Sequence, residues 1–140
     1  MTSEKAALAR SPQEVVEMFA SRMSAGDVDG ALELYEPTSS FAPQPRTEVT
    51  GQTSIRAALD DFMALKPQTS GTVDWIQMAG DIALVVNRWK LDGTQPDGEP
   101  VHLTGRSADV MRLGADGGWR FVIDCPWIDE VAAETGGGAK

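Results

Sequence analysis

Two hydrophobic periods divide this chain. Before Gly71 the apolar residues recur at helical spacing; after it they alternate with polar ones. The first helical stretch opens at "SPQE", where Ser11 can cap, Pro12 suits the first turn and Glu14 completes a capping box. Val15, Met18, Phe19, Arg22 and Met23 then share one stripe, which Gly26 ends. Asp27 is placed to cap a second, short helix carrying Ala31, Leu32, Leu34 and Tyr35. Pro37, Pro43 and Pro45 leave room only for a short strand around Phe41. After Gly51 a third helix carries Ile55, Ala58, Leu59, Phe62 and Met63, and Pro67 ends it.

The alternating half predicts four strands, over residues 72–78, 82–91, 101–113 and 119–124. Turns fall at Gly80-Asp81, in "DGTQPDGEP" with Asp97-Gly98 at its tip, and in "GADGG". Helices grouped before an antiparallel meander imply an α+β fold, with the helices packed on one face of the sheet. Residues 1–10 are expected to form an N-terminal arm, 11–130 a single domain and 131–140 a flexible tail.

Charge narrows the partners. With 21 acidic against 12 basic residues the net charge is -9, and no basic cluster interrupts it. Such a surface repels phosphate backbones and anionic lipid, so neither nucleic acid nor membrane is an expected partner. The longest aliphatic run, residues 82–86, is far shorter than the roughly 20 residues a bilayer needs. "MTSEKAALARSP" lacks the apolar core of a signal peptide, and the single cysteine, Cys125, excludes a disulfide within the chain. A soluble, cytoplasmic protein is the expectation.

The longest strand carries the main chemical candidate. In "GRSADVMRLG", Ser107, Asp109, Met111 and Leu113 share one face, while Arg106, Ala108, Val110 and Arg112 share the other. Asp109 thus sits among apolar neighbours, where a charged carboxylate is costly. It is either a working acid, kept protonated by its surroundings, or a structural Asp satisfied by a nearby amide or Arg. Asn87, on the face of Val85, Trp89 and Leu91, and Ser107 can orient a ligand or simply satisfy Asp109.

Asp124 is the second candidate acid. Strict alternation sets it opposite Trp119, Phe121 and Ile123, facing outward or toward a partner; a bulge before Pro126 would reverse this and pair it with Asp109. His102 shares the face of Thr104 and Arg106, away from Asp109, and is the only histidine. No Cys/His spacing fits a metal site, and no glycine pattern fits a nucleotide, so no metal or cofactor is expected. Phe19, Met23, Tyr35, Phe41, Phe62, Trp89, Met111 and Trp127 are candidates to line an apolar cavity or to pack as core, with Trp127 at the rim. Cys125 reads as a small core residue.

"SAGDVDGALELYEPTSSF", "VTGQTSIRAALDDF" and "GGWRFVIDCPW" resemble the nuclear transport factor 2-like superfamily, nearest its SnoaL-like, ketosteroid-isomerase-like branch, over residues 11–129. The resemblance implies a strongly curved sheet wrapped around helices, forming a cone with an apolar cavity. It also implies a homodimer through the outer sheet face, where Trp75, Arg88, Val110 and Arg112 would lie. Asp109 matches the acid that, in ketosteroid isomerases, donates to the substrate's developing oxyanion. The proton-shuttling aspartate of those enzymes falls on Pro43 and their oxyanion tyrosine on Phe19, so their mechanism does not carry over. Two expectations follow. One is a cofactor-free domain that binds a small apolar molecule, with isomerase-, cyclase- or dehydratase-type acid/base chemistry at Asp109. The other is a non-catalytic ligand-binding or dimerisation module with a filled cavity.

Overall fold

A computed structural model describes residues 7–138. Helix α1 (Pro12–Ser24) starts as expected, with the Ser11 hydroxyl accepting from the Glu14 amide at 3.1 Å. The Glu14 carboxylate reaches back to the Arg10 amide, one residue beyond the cap. Asp27 caps α2 (Val28–Leu32) by accepting from Gly30 N–H. Strands β1 (Tyr35–Gln44) and β2 (Thr47–Thr50) then form a hairpin before α3 (Gln52–Met63). Strands β3 (Gln68–Ala79), β4 (Ile82–Thr94), β5 (Pro100–Leu113) and β6 (Trp119–Cys125) make the expected meander, and α4 (Ile128–Gly138) follows.

The six strands form one curved sheet in the order β2-β1-β6-β5-β4-β3. Only the β1–β6 pair is parallel. Val15, Val16 and Met23 of α1 and Ile55, Ala58 and Leu59 of α3 are buried against the inner sheet face, giving the α+β layer its core. Ala9 of the arm is buried too, and its carbonyl accepts from Trp119 N–H at 2.8 Å.

Three expectations are corrected. The segment around Phe41 is a ten-residue strand with a second strand after it, despite its prolines. Pro37 lies in the register gap between Tyr35 and Ser40, and Pro43 in the gap between Phe41 and Gln44, so neither is asked for a ladder N–H. Tyr35 begins β1 instead of continuing α2, because Phe121 N–H bonds the Leu34 carbonyl and the chain joins the sheet there. The supposed tail continues as α4 as far as Gly138: Asp129 and Glu130 suit a first turn, and Arg106 holds Asp129 from the sheet at 2.8 Å. Residues 139 and 140 lie outside the described residues.

Candidate functional site

The inner face of the sheet becomes chemical where β4, β5 and β6 run side by side. Register sets Asn87 opposite Ser107, and Asp109 opposite Asp124. That second pairing exists because of a bulge. Val110 pairs with Ile123 but Met111 pairs with Phe121, so Val122 is the extra residue. Before it Trp119 and Phe121 face the core; after it Ile123 is 45% exposed and Asp124 only 6%. The alternation that would have sent Asp124 outward is broken at Val122, four residues before Pro126.

Asp109, 2% exposed, is surrounded by donors. Its Oδ2 accepts from Asn87 Nδ2 at 3.0 Å, and its Oδ1 accepts from the Ser107 hydroxyl and from Cys125 N–H at 3.1 Å. Asp124 Oδ2 accepts from the Tyr35 hydroxyl at 2.5 Å, and the two carboxyl groups bond each other. Burial pushes both carboxyls above the ordinary range, Asp124 the further because the Asp109 charge adds to its burial. For Asp109 the donors from Ser107, Asp124, Cys125 and Asn87 oppose that rise. Both rises favour one proton retained between the two carboxyls, and the fewer donors around Asp124 put the larger rise there. Burial and the adjacent Asp124 also hold the Tyr35 hydroxyl well above its ordinary value, so it remains a neutral donor.

A cavity of about 100 Å³ opens beside this pair. Phe19, Met23, Phe41, Phe62, Asn87, Trp89, Ser107, Asp109, Asp124 and Trp127 line it, as do Val16, Ala20, Leu59, Thr69, Ser70, Gly71, Leu91, Phe121 and Pro126. Two predicted lining residues do not. Met111, fully buried, belongs to the core below the bulge. Tyr35 stands behind the wall and reaches the site only through Asp124, its ring packed 4.8 Å from Phe121 and 6.0 Å from both Phe19 and Phe41. At the rim Trp89 donates to the Pro126 carbonyl at 2.7 Å and meets Trp127 edge-on at 5.1 Å. Gly105 makes room for this, since a Cβ there would come within 2.7 Å of the Trp89 ring. Sequence reading missed the β3 wall, Thr69 to Gly71, because only the sheet's curvature brings it over the cavity. It also missed Phe121, whose place on the inner face of β6 was the available signal.

Other chemistry-bearing groups have partners. His102 is exposed against Asp92, Arg88 pairs with Asp74, and Arg106 with Asp129. Burial raises the Cys125 thiol, which disfavours its thiolate form. Among the described residues no group of His, Cys, Asp and Glu could hold a metal ion, and no helix is long and apolar enough to cross a membrane. A larger surface groove, about 670 Å³, lies beside Ala7 to Ala9, and its two arginines are committed: Arg120 to Asp116, and Arg22 to the Gly30 and Ala7 carbonyls.

A family model described as the SnoaL-like domain matches residues 15–122. No curated protein matches the chain. Among solved structures, a nuclear transport factor 2-like superfamily protein from Salmonella enterica is 22% identical, with 80% of this chain and 84% of that one covered and a TM-score of 0.68. A ketosteroid isomerase-like protein from Erwinia carotovora is 14% identical, with coverages of 77% and 85% and a TM-score of 0.67. A conserved protein from Planctomyces limnophilus is 16% identical, with coverages of 80% and 88% and a TM-score of 0.71. At these identities the likeness is one of fold.

Proposed function

The chain belongs to the SnoaL-like domain family, and on that premise we propose that it binds a small apolar molecule in the cavity and presents it with the single proton shared by Asp124 and Asp109. The observation that carries this reading is the placement of two adjacent buried carboxyls in the wall of an otherwise apolar cavity. Like charges this close cannot both ionise, so the pair supplies an acid and a base at neutral pH without a metal or cofactor. That inventory suits isomerisation, cyclisation or dehydration. Asp124 would give the proton and Asp109 receive it, with Tyr35 holding Asp124 in place.

The steroid reaction stays outside this reading. Pro43 stands where the shuttling acid would be, and about 100 Å³ is well under the roughly 300–1,000 Å³ of ordinary ligand pockets. The same small volume favours a second reading, a non-catalytic binding or dimerisation module. Native mass spectrometry of the purified protein shows whether a small molecule is retained, its loss in both Asp109→Asn and Asp124→Asn assigns it to this site, and turnover of that molecule by the wild type separates the first reading from the second. Unaltered retention and turnover in those variants would remove the carboxyl pair from the function.

A homodimer through the outer sheet face belongs to this proposal. Leu84, Val110 and Ile123 are register neighbours there, with Trp75 beside Val86, and Trp75 is 57% exposed. Apolar side chains massed on one sheet face favour a covering partner.

A further inference from the structure

Four buried polar side chains stand in the cavity wall: Asn87, Ser107, Asp109 and Asp124. Three of them are spent on one another and on their surroundings. Asp109 and Asp124 bond each other, the Ser107 hydroxyl serves Asp109 and the Cys125 carbonyl, and Tyr35 donates to Asp124. Asn87 is only half used. It is 4% exposed, its Nδ2 donates to Asp109 Oδ2 at 3.0 Å, and its Oδ1 has no hydrogen-bond partner. That oxygen is not sealed inside the wall, as the partnerless Trp127 Nε1 and Glu130 Oε1 are; it keeps surface on the cavity. Gly71 holds the space before it clear, since a Cβ there would touch Oδ1 at 3.8 Å.

The network fixes which way the amide points. With the pair's proton between the two carboxyls, Asp109 Oδ2 can only accept, so Asn87 turns its nitrogen there and its oxygen to the cavity. An occupant without a donor would strip that oxygen of water and leave a buried acceptor bare, which is costly. One free acceptor matches one O–H. An ammonium would bring two or three N–H groups and a full charge out of water, toward a carboxylate that already holds three donors. Size sets a second limit. A dry apolar cavity of roughly 150 Å³ takes benzene, and this one measures about 100 Å³. Resting on the cavity-binding reading above, we infer that the occupant is a small alcohol, apolar and no larger than one small ring, whose hydroxyl donates to Asn87 Oδ1.

Asn87 then serves two neighbours with one planar group. Its nitrogen supports Asp109, and its oxygen sets the alcohol beside the carboxyl pair. Leucine at this position would do neither.

Asn87 is the only asparagine in the chain, so asparagine labelled with carbon-13 and nitrogen-15 yields a single side-chain amide signal. The full chain is titrated with three probes built on one ring: cyclopentanol, cyclopentanone and cyclopentylamine. Cyclopentanol is expected to bind on the order of tenfold more tightly than cyclopentanone. It should also hold the Asn87 Cγ carbon downfield of its position in the ketone complex, as an accepted hydrogen bond does. In Asn87→Leu the alcohol-to-ketone affinity ratio is expected to fall close to one. Equal wild-type binding of alcohol and ketone, one Cγ position in both complexes, or an unchanged ratio in Asn87→Leu overturns the hydroxyl assignment while leaving cavity binding intact. So does amine binding tighter than alcohol binding, which would make the ligand a cation. Failure of all three probes to bind overturns the cavity reading itself. The wild-type measurements stand even if Asn87→Leu, which also takes a donor from Asp109, folds poorly.

Discussion

Replacing Asp124 by asparagine is expected to stabilise the protein at neutral pH, while the same replacement at its cross-strand neighbour Asp109 destabilises it. Asp124 is buried and its pKa is raised well above the ordinary range by burial and by the Asp109 charge. In the unfolded chain it ionises near pH 3.9, so above that pH folding must put a proton back, costing about 1.36 kcal/mol per pH unit. The folded value being the raised one, the stability Asp124 contributes is complete below the unfolded pKa and drains away as pH climbs toward the folded pKa. Asparagine has no such proton to recover. Its amide can donate to Asp109 and its oxygen can accept from Tyr35, reproducing both bonds of the protonated acid. The advantage of Asp124→Asn should therefore be near zero at pH 4 and widen by about 1.36 kcal/mol per unit until the wild-type group ionises. Asp109→Asn fares differently. Asn87, Ser107 and the Cys125 amide all donate to its two oxygens, and asparagine keeps only one, so a buried donor loses its acceptor at a cost of about 1–3 kcal/mol. Thermal melting of the three proteins from pH 4 to 8 reads both effects, at roughly 3 °C per kcal/mol for a chain of this size. An Asp124→Asn variant that melts below wild type at pH 7, or whose margin does not grow with pH, would refute the assignment of the proton.

Tyr35→Phe removes the lone donor onto Asp124 Oδ2, so it should cost about 0.5–1.5 kcal/mol and raise the Asp124 pKa further, extending to higher pH the range over which stability falls; chemical denaturation across pH measures both. Gly105→Ala should displace the Trp89 ring, since the new Cβ would lie 2.7 Å from it, and destabilise by about 1–3 kcal/mol with a change in tryptophan fluorescence. Unchanged emission would mean the rim absorbs the methyl. Met111→Ala, fully buried outside the cavity, should cost about 2–5 kcal/mol while leaving ligand retention intact in native mass spectrometry. On the outer face, Leu84→Glu or Ile123→Glu should turn a sedimenting dimer into a monomer at micromolar concentration; a wild type already monomeric would end the dimer proposal.

Much of this protein was fixed locally. The Ser11 and Asp27 caps, the helical stripe from Val15 to Met23 and the alternation after Gly71 each depend on neighbours a few residues away, and they determined the α+β layer and the inward face of Asn87, Ser107 and Asp109. Motif resemblance added the family. What only the tertiary structure decided involves register between distant strands. A single extra residue at Val122 turns Asp124 from the outer face to the inner one, and alternation along one strand cannot reveal a bulge that is defined by its partner strand. The same holds for Tyr35: nothing near it in sequence announces that its hydroxyl meets a carboxyl on the strand 89 residues later. The donors around each carboxyl likewise depend on placement, because they are assembled only once β1, β4, β5 and β6 stand side by side.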